Sequence, residues 1–276
     1  MSETTTYDLL TLYLVDASKV LSEANHPKAD VLKNFVKDAY LLISNAAERL
    51  RAVKPSVEDQ QLLEFLRYAT TALTKVYVYG DWRPYVFMNE LFNEVPPFKT
   101  LQERLINMAA LTPKSRVGEI NSITPLTSSR LASRLGGEQF LLLEKTYLEN
   151  SLFREILEEY SRRYSSNSRI ISLDMQQEVE KLTESLDLLY TGTIDAWKLG
   201  WSNILAIASR LIKRKGYFTA ILPATKHLAM RTLLSLFDVP DYPDTAQIKE
   251  ELQKMRFTNI YISSAQGFTA FFAIKR

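Results

Sequence analysis

A chain of 276 residues, 46% of them hydrophobic, can bury one sizeable core or a core plus a smaller helical appendage, and two units are expected. With no cysteine there is no disulfide, thiolate metal site or cysteine nucleophile, and two histidines, His26 and His227, leave no histidine-rich metal site, so no metal is expected. The net charge of +2 splits unevenly, ten Lys/Arg against thirteen Asp/Glu over residues 1–97 and 24 against 19 over residues 98–276, far from the basic stripe of a dedicated nucleic-acid binder.

The chain starts MSETTTYD, without the charged-then-apolar layout of a secretory signal, and no run approaches the eighteen or so apolar residues of a membrane helix. A soluble, cytoplasmic protein with no membrane partner is expected. The first hundred residues read as helical. Tyr7 to Ala24 carries a stripe of Leu10, Leu14, Ala17 and Leu21. Asp30 to Val53 repeats Leu32, Phe35, Val36, Ala39, Leu42, Ile43, Ala46 and Leu50 at three- and four-residue spacing, with Asp30 placed to cap it. A third helix runs from Ser56, with Asp59 at its third position, to about Gly80. Short connections between three such helices predict a small antiparallel bundle. His26, beside Pro27, reads as a loop residue.

Gly80 to Thr100 contains Pro84, Pro96 and Pro97 and reads as a linker whose aromatics Trp82, Tyr85 and Phe87 pack two domains together. Domain limits of 1–97 and 98–276 follow. Leu101 to Leu111 is then a short helix ending before Pro113.

From Arg116 the pattern changes. Strands are expected at Val117–Asn121, Phe140–Leu143, Arg169–Leu173, Leu186–Tyr190, Tyr217–Leu222, Asn259–Ile262 and Phe268–Ile274. Helices alternate with them at Leu126–Leu135, Leu152–Tyr164, Met175–Leu182, Trp197–Lys213, Lys226–Leu236 and Thr245–Met255. This is an α/β pattern, a mostly parallel sheet covered on both faces. Only Ser263–Gly267 separates the last two strands, which predicts a C-terminal antiparallel hairpin. The basic run Arg210 to Lys215 reads as the end of a helix, where cations complement the dipole.

Seven strands closing in such a hairpin resemble the class I S-adenosylmethionine-dependent methyltransferases, a Rossmann-like fold, over about Leu101 to Arg276. Val117-Gly118-Glu119-Ile120 resembles the first strand with its acidic residue, and Leu141-Leu142-Leu143-Glu144 the second, ending in the family's ribose-binding carboxylate. Ile171-Ser172-Leu173-Asp174 is similar to the third strand with the acidic residue beside the adenine. Leu186 to Tyr190, Gly216-Tyr217-Phe218 and Gly267 to Ala270 resemble the fourth, fifth and seventh strands. The resemblance implies S-adenosylmethionine as cofactor, with Glu119, Asn121, Glu144, Asp174 and Tyr190 as candidate cofactor-binding residues. Glu144 and Asp174 read equally well as groups that cap a helix or bond loop amides. After the fourth strand the family's Asp/Asn-Pro-Pro-Tyr signature is absent. Asp195 and Tyr190 are the positions where a base or positioning group could stand, and no catalytic residue can be named.

The glycine pattern after the family's first strand is missing. Glu119 is followed by Ile120, Asn121, Ser122, Ile123, Thr124 and Pro125. Asn121 can take a left-handed conformation, whereas a β-branched Ile123 held there would cost on the order of 1–3 kcal/mol. Either the backbone has moved or the pocket is narrowed. Thr124 as helix cap, Pro125 at the first helical position and Gly136-Gly137 at the end keep the turn and helix intact.

The expected function is thus that of a methyltransferase-like protein with a degenerate cofactor site. It would serve as a non-catalytic binding or regulatory module, with its N-terminal helices contacting a protein partner or a second copy. The alternatives are an active, divergent methyltransferase and, more weakly, nucleic-acid association through the basic half.

Overall fold

The computed structural model describes residues 78–164, 167–224, 234–265 and 267–276, with positions 19, 22–25, 29–30, 72, 74–76 and 230. The helices expected at Tyr7–Ala24, Asp30–Val53, Ser56–Gly80 and Lys226–Leu236, and both histidines, lie largely or wholly outside these residues. The chain divides into two compact units, residues 1–97 with 225–238, and residues 98–224 with 239–276. Among the described residues no helix is long and apolar enough to cross a membrane.

In the first unit the expected linker is helical. Helix α1 covers Arg83–Glu94, and helix α2, Pro96–Met108, follows after Val95, belonging to the second unit from Phe98 onward. The prolines that argued for a linker occupy the first two positions of each helix, where a missing N–H costs nothing because no carbonyl stands one turn earlier to receive it. Asp81 Oδ1 accepts the Arg83 N–H at 3.1 Å, just ahead of the first turn. Tyr85 is buried and lies 5.9 Å from Phe237 of the same unit, while Trp82 and Phe87 are 37% and 48% exposed. Asn89 and Asn93, also buried, each donate from Nδ2 to the carbonyl four residues back, which satisfies them inside the helix.

The second unit is built on one sheet. Its strands are β1 (Arg116–Ile120), β2 (Glu138–Leu143), β3 (Asn167–Ser172), β4 (Leu186–Thr191), β5 (Ile212–Pro223), β6 (Phe257–Ala265) and β7 (Phe268–Lys275). They lie in the order β3-β2-β1-β4-β5-β7-β6, with β1 to β5 parallel and β7 antiparallel to both its neighbours. Strand β7 is flanked on both sides and almost wholly buried, whereas the edge strand β6 is buried only at Phe257 and half-buried or exposed beyond it. The connecting helices are α3 (Leu126–Leu135), α4 (Lys145–Leu148), α5 (Ser151–Arg163), α6 (Gln176–Lys181), α7 (Ile194–Trp197), α8 (Trp201–Leu211) and α9 (Thr245–Lys254).

Two expectations are corrected here. The helix expected over Trp197–Lys213 is two helices, parted at Gly200, whose φ of 77° interrupts the helical path. The basic run also belongs mainly to β5. Helix α8 ends at Leu211, and Lys213 pairs with Asp187 of β4 across the sheet. Helix α3 matches its expected span, and Gly136 ends it at φ 58°. The core at the β5–β7 side is aromatic: Phe218 lies 5.0 Å from Phe271 and 5.7 Å from Phe257, and Trp201 lies 5.6 Å from Phe271. Such ring pairs bury large apolar areas and add edge-to-face attraction.

Candidate functional site

In an open sheet of this kind ligands lie beyond the carboxyl ends of the strands, where the strand order reverses. Here that point falls between β1 and β4. The turn leaving β1 runs through Asn121, Ser122, Ile123 and Thr124, all at most 1% exposed. Asn121 takes the left-handed conformation at φ 46°, and Ile123 stays out of that region, so the strain expected of a branched residue there does not arise. The turn has settled with its positive angle on the residue that tolerates it best after glycine.

The Asn121 carboxamide is held on both sides. Its Oδ1 accepts the Glu144 N–H at 2.9 Å, and its Nδ2 donates to Glu144 Oε2 at 2.6 Å and to the Asp195 carbonyl at 3.3 Å. A backbone N–H needs an acceptor and a carboxylate needs a donor, so these partners fix which way the amide points. The Asn121 carbonyl in turn accepts the Thr193 hydroxyl at 3.1 Å, while Thr193 Oγ1 accepts the Ala196 N–H at 3.2 Å and caps α7. One side chain thus ties the ends of β1, β2 and β4 together. Asp174 lies at the surface, and its Oδ2 accepts the Lys145 N–H at 2.7 Å, pinning the start of α4.

No protein-family model and no curated protein matches this sequence. The structure is similar to that of the citrinin polyketide synthase CMeT domain, with 10% identity, 97% of this chain and 88% of that one covered, and a TM-score of 0.64. It is also similar to the CurJ carbon methyltransferase (14% identity, 86% and 70% covered, TM-score 0.58) and the DszA carbon methyltransferase (13%, 99% and 89%, 0.55). This is the class I methyltransferase fold.

Within the methyltransferase fold, Glu119 and Tyr190 lie side by side in register on β1 and β4, both 2% exposed. Glu119 Oε2 accepts the Ser128 N–H at 3.1 Å and the Ser128 hydroxyl at 2.5 Å. Burial pushes its carboxyl up to about 7, against the pull of these hydrogen bonds. Ser128 is the third residue of α3, so this carboxylate caps the helix from the strand before it. Thr124, the expected cap, makes no hydrogen bond through its hydroxyl. Helix α3 starts at Leu126, one residue later than a cap at Thr124 requires.

Tyr190 is fixed from another direction. Gln102 Nε2 donates to its hydroxyl at 3.3 Å and also to Thr127 Oγ1. Burial, with the Glu119 charge nearby, raises the tyrosine well above its ordinary range. The ring fills the space over Gly192, where an added Cβ would lie 2.4 Å from the Tyr190 hydroxyl.

Sequence reasoning passed over two residues that shape this end of the sheet. Tyr147 of α4 donates its hydroxyl to Asp195 Oδ1 at 2.9 Å, and Lys198 Nζ lies 3.2 Å from the same oxygen. Burial first, then the Asp195 charge, raises the Tyr147 phenol, so it stays a donor. Four-residue helices such as α4 leave no periodic signal; the only hint is a tyrosine three places after the strand-ending Glu144. Thr124 and Thr191 place buried hydroxyls at the same strand ends, and neither hydroxyl makes a hydrogen bond. Among the described residues no group of three or more Asp, Glu or His side chains is placed to hold a metal ion.

Proposed function

We propose that this chain is a binding or regulatory module on the methyltransferase fold, with its S-adenosylmethionine site closed by its own residues. The observation that carries this reading is the two-sided grip of Asn121 on Glu144. In the family Glu144 corresponds to the carboxylate that accepts the ribose hydroxyls, and here a carboxamide already supplies that donor. The turn over which the nucleoside would pass is covered by protein, so the residues present do not fit the cofactor as they stand. Displacing Asn121 would leave a buried amide and a half-buried carboxylate to find new partners, a cost of about 1–3 kcal/mol that binding would have to exceed. On this reading the N-terminal helical part makes the contacts to a protein partner or a second copy.

A second reading, an active divergent methyltransferase, is favoured by one observation. Thr124 and Thr191 hold buried hydroxyls without hydrogen bonds, as groups awaiting a ligand would. The likeness to carbon methyltransferases suggests that a carbon nucleophile would then be the acceptor.

Calorimetry with S-adenosylmethionine separates the two. The closed-site reading expects no saturable binding by the unaltered chain and a gain when Asn121 and Ile123 are replaced by glycine. The active reading expects saturable binding by the unaltered chain and its loss in Glu144→Ala.

A further inference from the structure

The amino-terminal end of the sheet has a different character. Helix α9 places Lys249 and Gln253 four residues apart on one face, and the chain then turns through Arg256, at φ 65°, into β6. Between Thr258 and Tyr261 the β6–β7 register shifts, leaving Asn259 and Ile260 outside the ladder, with Asn259 at φ 49°. Such a bulge frees backbone groups and re-aims side chains. Arg276 lies alongside, its N–H donated to the Arg256 carbonyl at 3.0 Å. Lys249, Gln253, Arg256, Thr258, Asn259 and Arg276 face a groove of about 600 Å³.

No acidic side chain lines this groove. The carboxylates nearest in sequence are engaged elsewhere: Glu250 pairs with Lys254 at 2.7 Å, and Glu251 accepts the Trp201 indole N–H at 2.5 Å. Among the described residues no ion pair reaches Lys249, Arg256 or Arg276. Three cations share a concave surface with amide and hydroxyl donors, and no Asp or Glu side chain stands among its lining residues.

We propose that this groove binds a small molecule bearing a diphosphate. Two guanidinium forks and an ammonium match the charge and the oxygen geometry of linked phosphates, which arginine grips bidentately. Gln253, Thr258 and Asn259 add neutral donors, and the volume suits a ligand of nucleotide size. A nucleic-acid strand is the poorer match. It needs a long basic track and exposed rings for stacking, and the aromatic side chain in this lining, Phe257, is 1% exposed. Strand β6 runs parallel to β1, so its start lies at the opposite end of the sheet from Glu144. The proposal therefore does not depend on whether S-adenosylmethionine binds.

Calorimetric titration of the full chain with inorganic pyrophosphate, ADP and sulfate at about 0.15 M salt tests this, at an ionic strength that screens loose surface attraction. The expected result is saturable one-to-one binding of pyrophosphate at least tenfold tighter than sulfate. Arg256→Gln and Arg276→Gln should each weaken it at least tenfold, with circular dichroism unchanged because both side chains are exposed. Lys254→Gln, whose cation is already paired, should leave it unaltered. ADP binding tighter than pyrophosphate would identify a nucleotide, and equal binding the diphosphate alone. Pyrophosphate and sulfate binding alike, or Lys254→Gln weakening binding as much as Arg256→Gln, would reduce the groove to diffuse surface charge and overturn the proposal. Binding of a single-stranded oligonucleotide alone would overturn it equally.

Discussion

The two ends of the sheet treat polar groups in opposite ways. At the carboxyl end, Glu119, Asn121, Tyr190 and Asp195 are all at most 2% exposed and are bonded to one another's neighbours. At the amino end of β6, Lys249, Arg256 and Arg276 stand exposed around a groove that no Asp or Glu side chain lines. Position in the fold alone would assign the ligand to the first end. The bonds of Asn121, Glu119 and Tyr190 weigh against that end, because a buried group that has found a protein partner gives it up only at a cost, while the unpartnered Thr124 and Thr191 hydroxyls weigh for it.

The largest expected effect tests how dry the carboxyl end is. The Glu119 carboxyl, raised from an ordinary 4.5 to about 7, holds its proton more tightly in the folded chain than in the unfolded one. Its contribution is therefore fully present below about pH 4.5 and is lost as pH climbs through 7, a fall of about 3 kcal/mol. Urea midpoints measured from pH 4.5 to 8 should show this loss in the unaltered chain and lack it in Glu119→Gln. An identical slope in both would mean that water reaches Glu119.

Next comes Gly192→Ala, which drives a methyl against the Tyr190 hydroxyl and should cost about 1–3 kcal/mol. Adding Tyr190→Phe should return part of that loss, since the nearest clashing atom goes; no recovery would mean the strand end moves as a block. Thr193→Ala removes both the α7 cap and the bond to the Asn121 carbonyl, for about 1–2 kcal/mol by thermal melting. At the other end, Lys249→Gln and Arg276→Gln should leave the melting midpoint unchanged while altering anion affinity. A drop in midpoint there would erase the contrast between the two ends.

Much of the sheet was legible in the sequence. Apolar runs of strand length alternating with helical stripes marked all seven strands and the final hairpin, although β6 extends over Phe257–Ala265 and takes Ser263 to Ala265 from the expected gap, because polar residues suit an edge strand. Context defeated the rest. Pro84, Pro96 and Pro97 signal a break unless they fall in a first helical turn, and which case holds depends on where the helix begins. The Arg210–Lys215 run has the charge of a helix end, yet Lys213 finds Asp187 only once β4 and β5 are paired. At the site, an asparagine after β1 signals a residue able to turn left-handed, as Asn121 does. Its grip on Glu144, 23 residues away, is a tertiary fact that no local pattern encodes.

Strand β7 separates β5 from β6 in space although β6 precedes it along the chain. During synthesis β6 therefore emerges with no docking place. Until Phe268 to Lys275 arrives, β5 offers an open hydrogen-bonding edge beside the apolar side chains of Phe218, Ala220 and Leu222. The nascent domain carries an adhesive margin for that interval, and the two final strands must close over it nearly together.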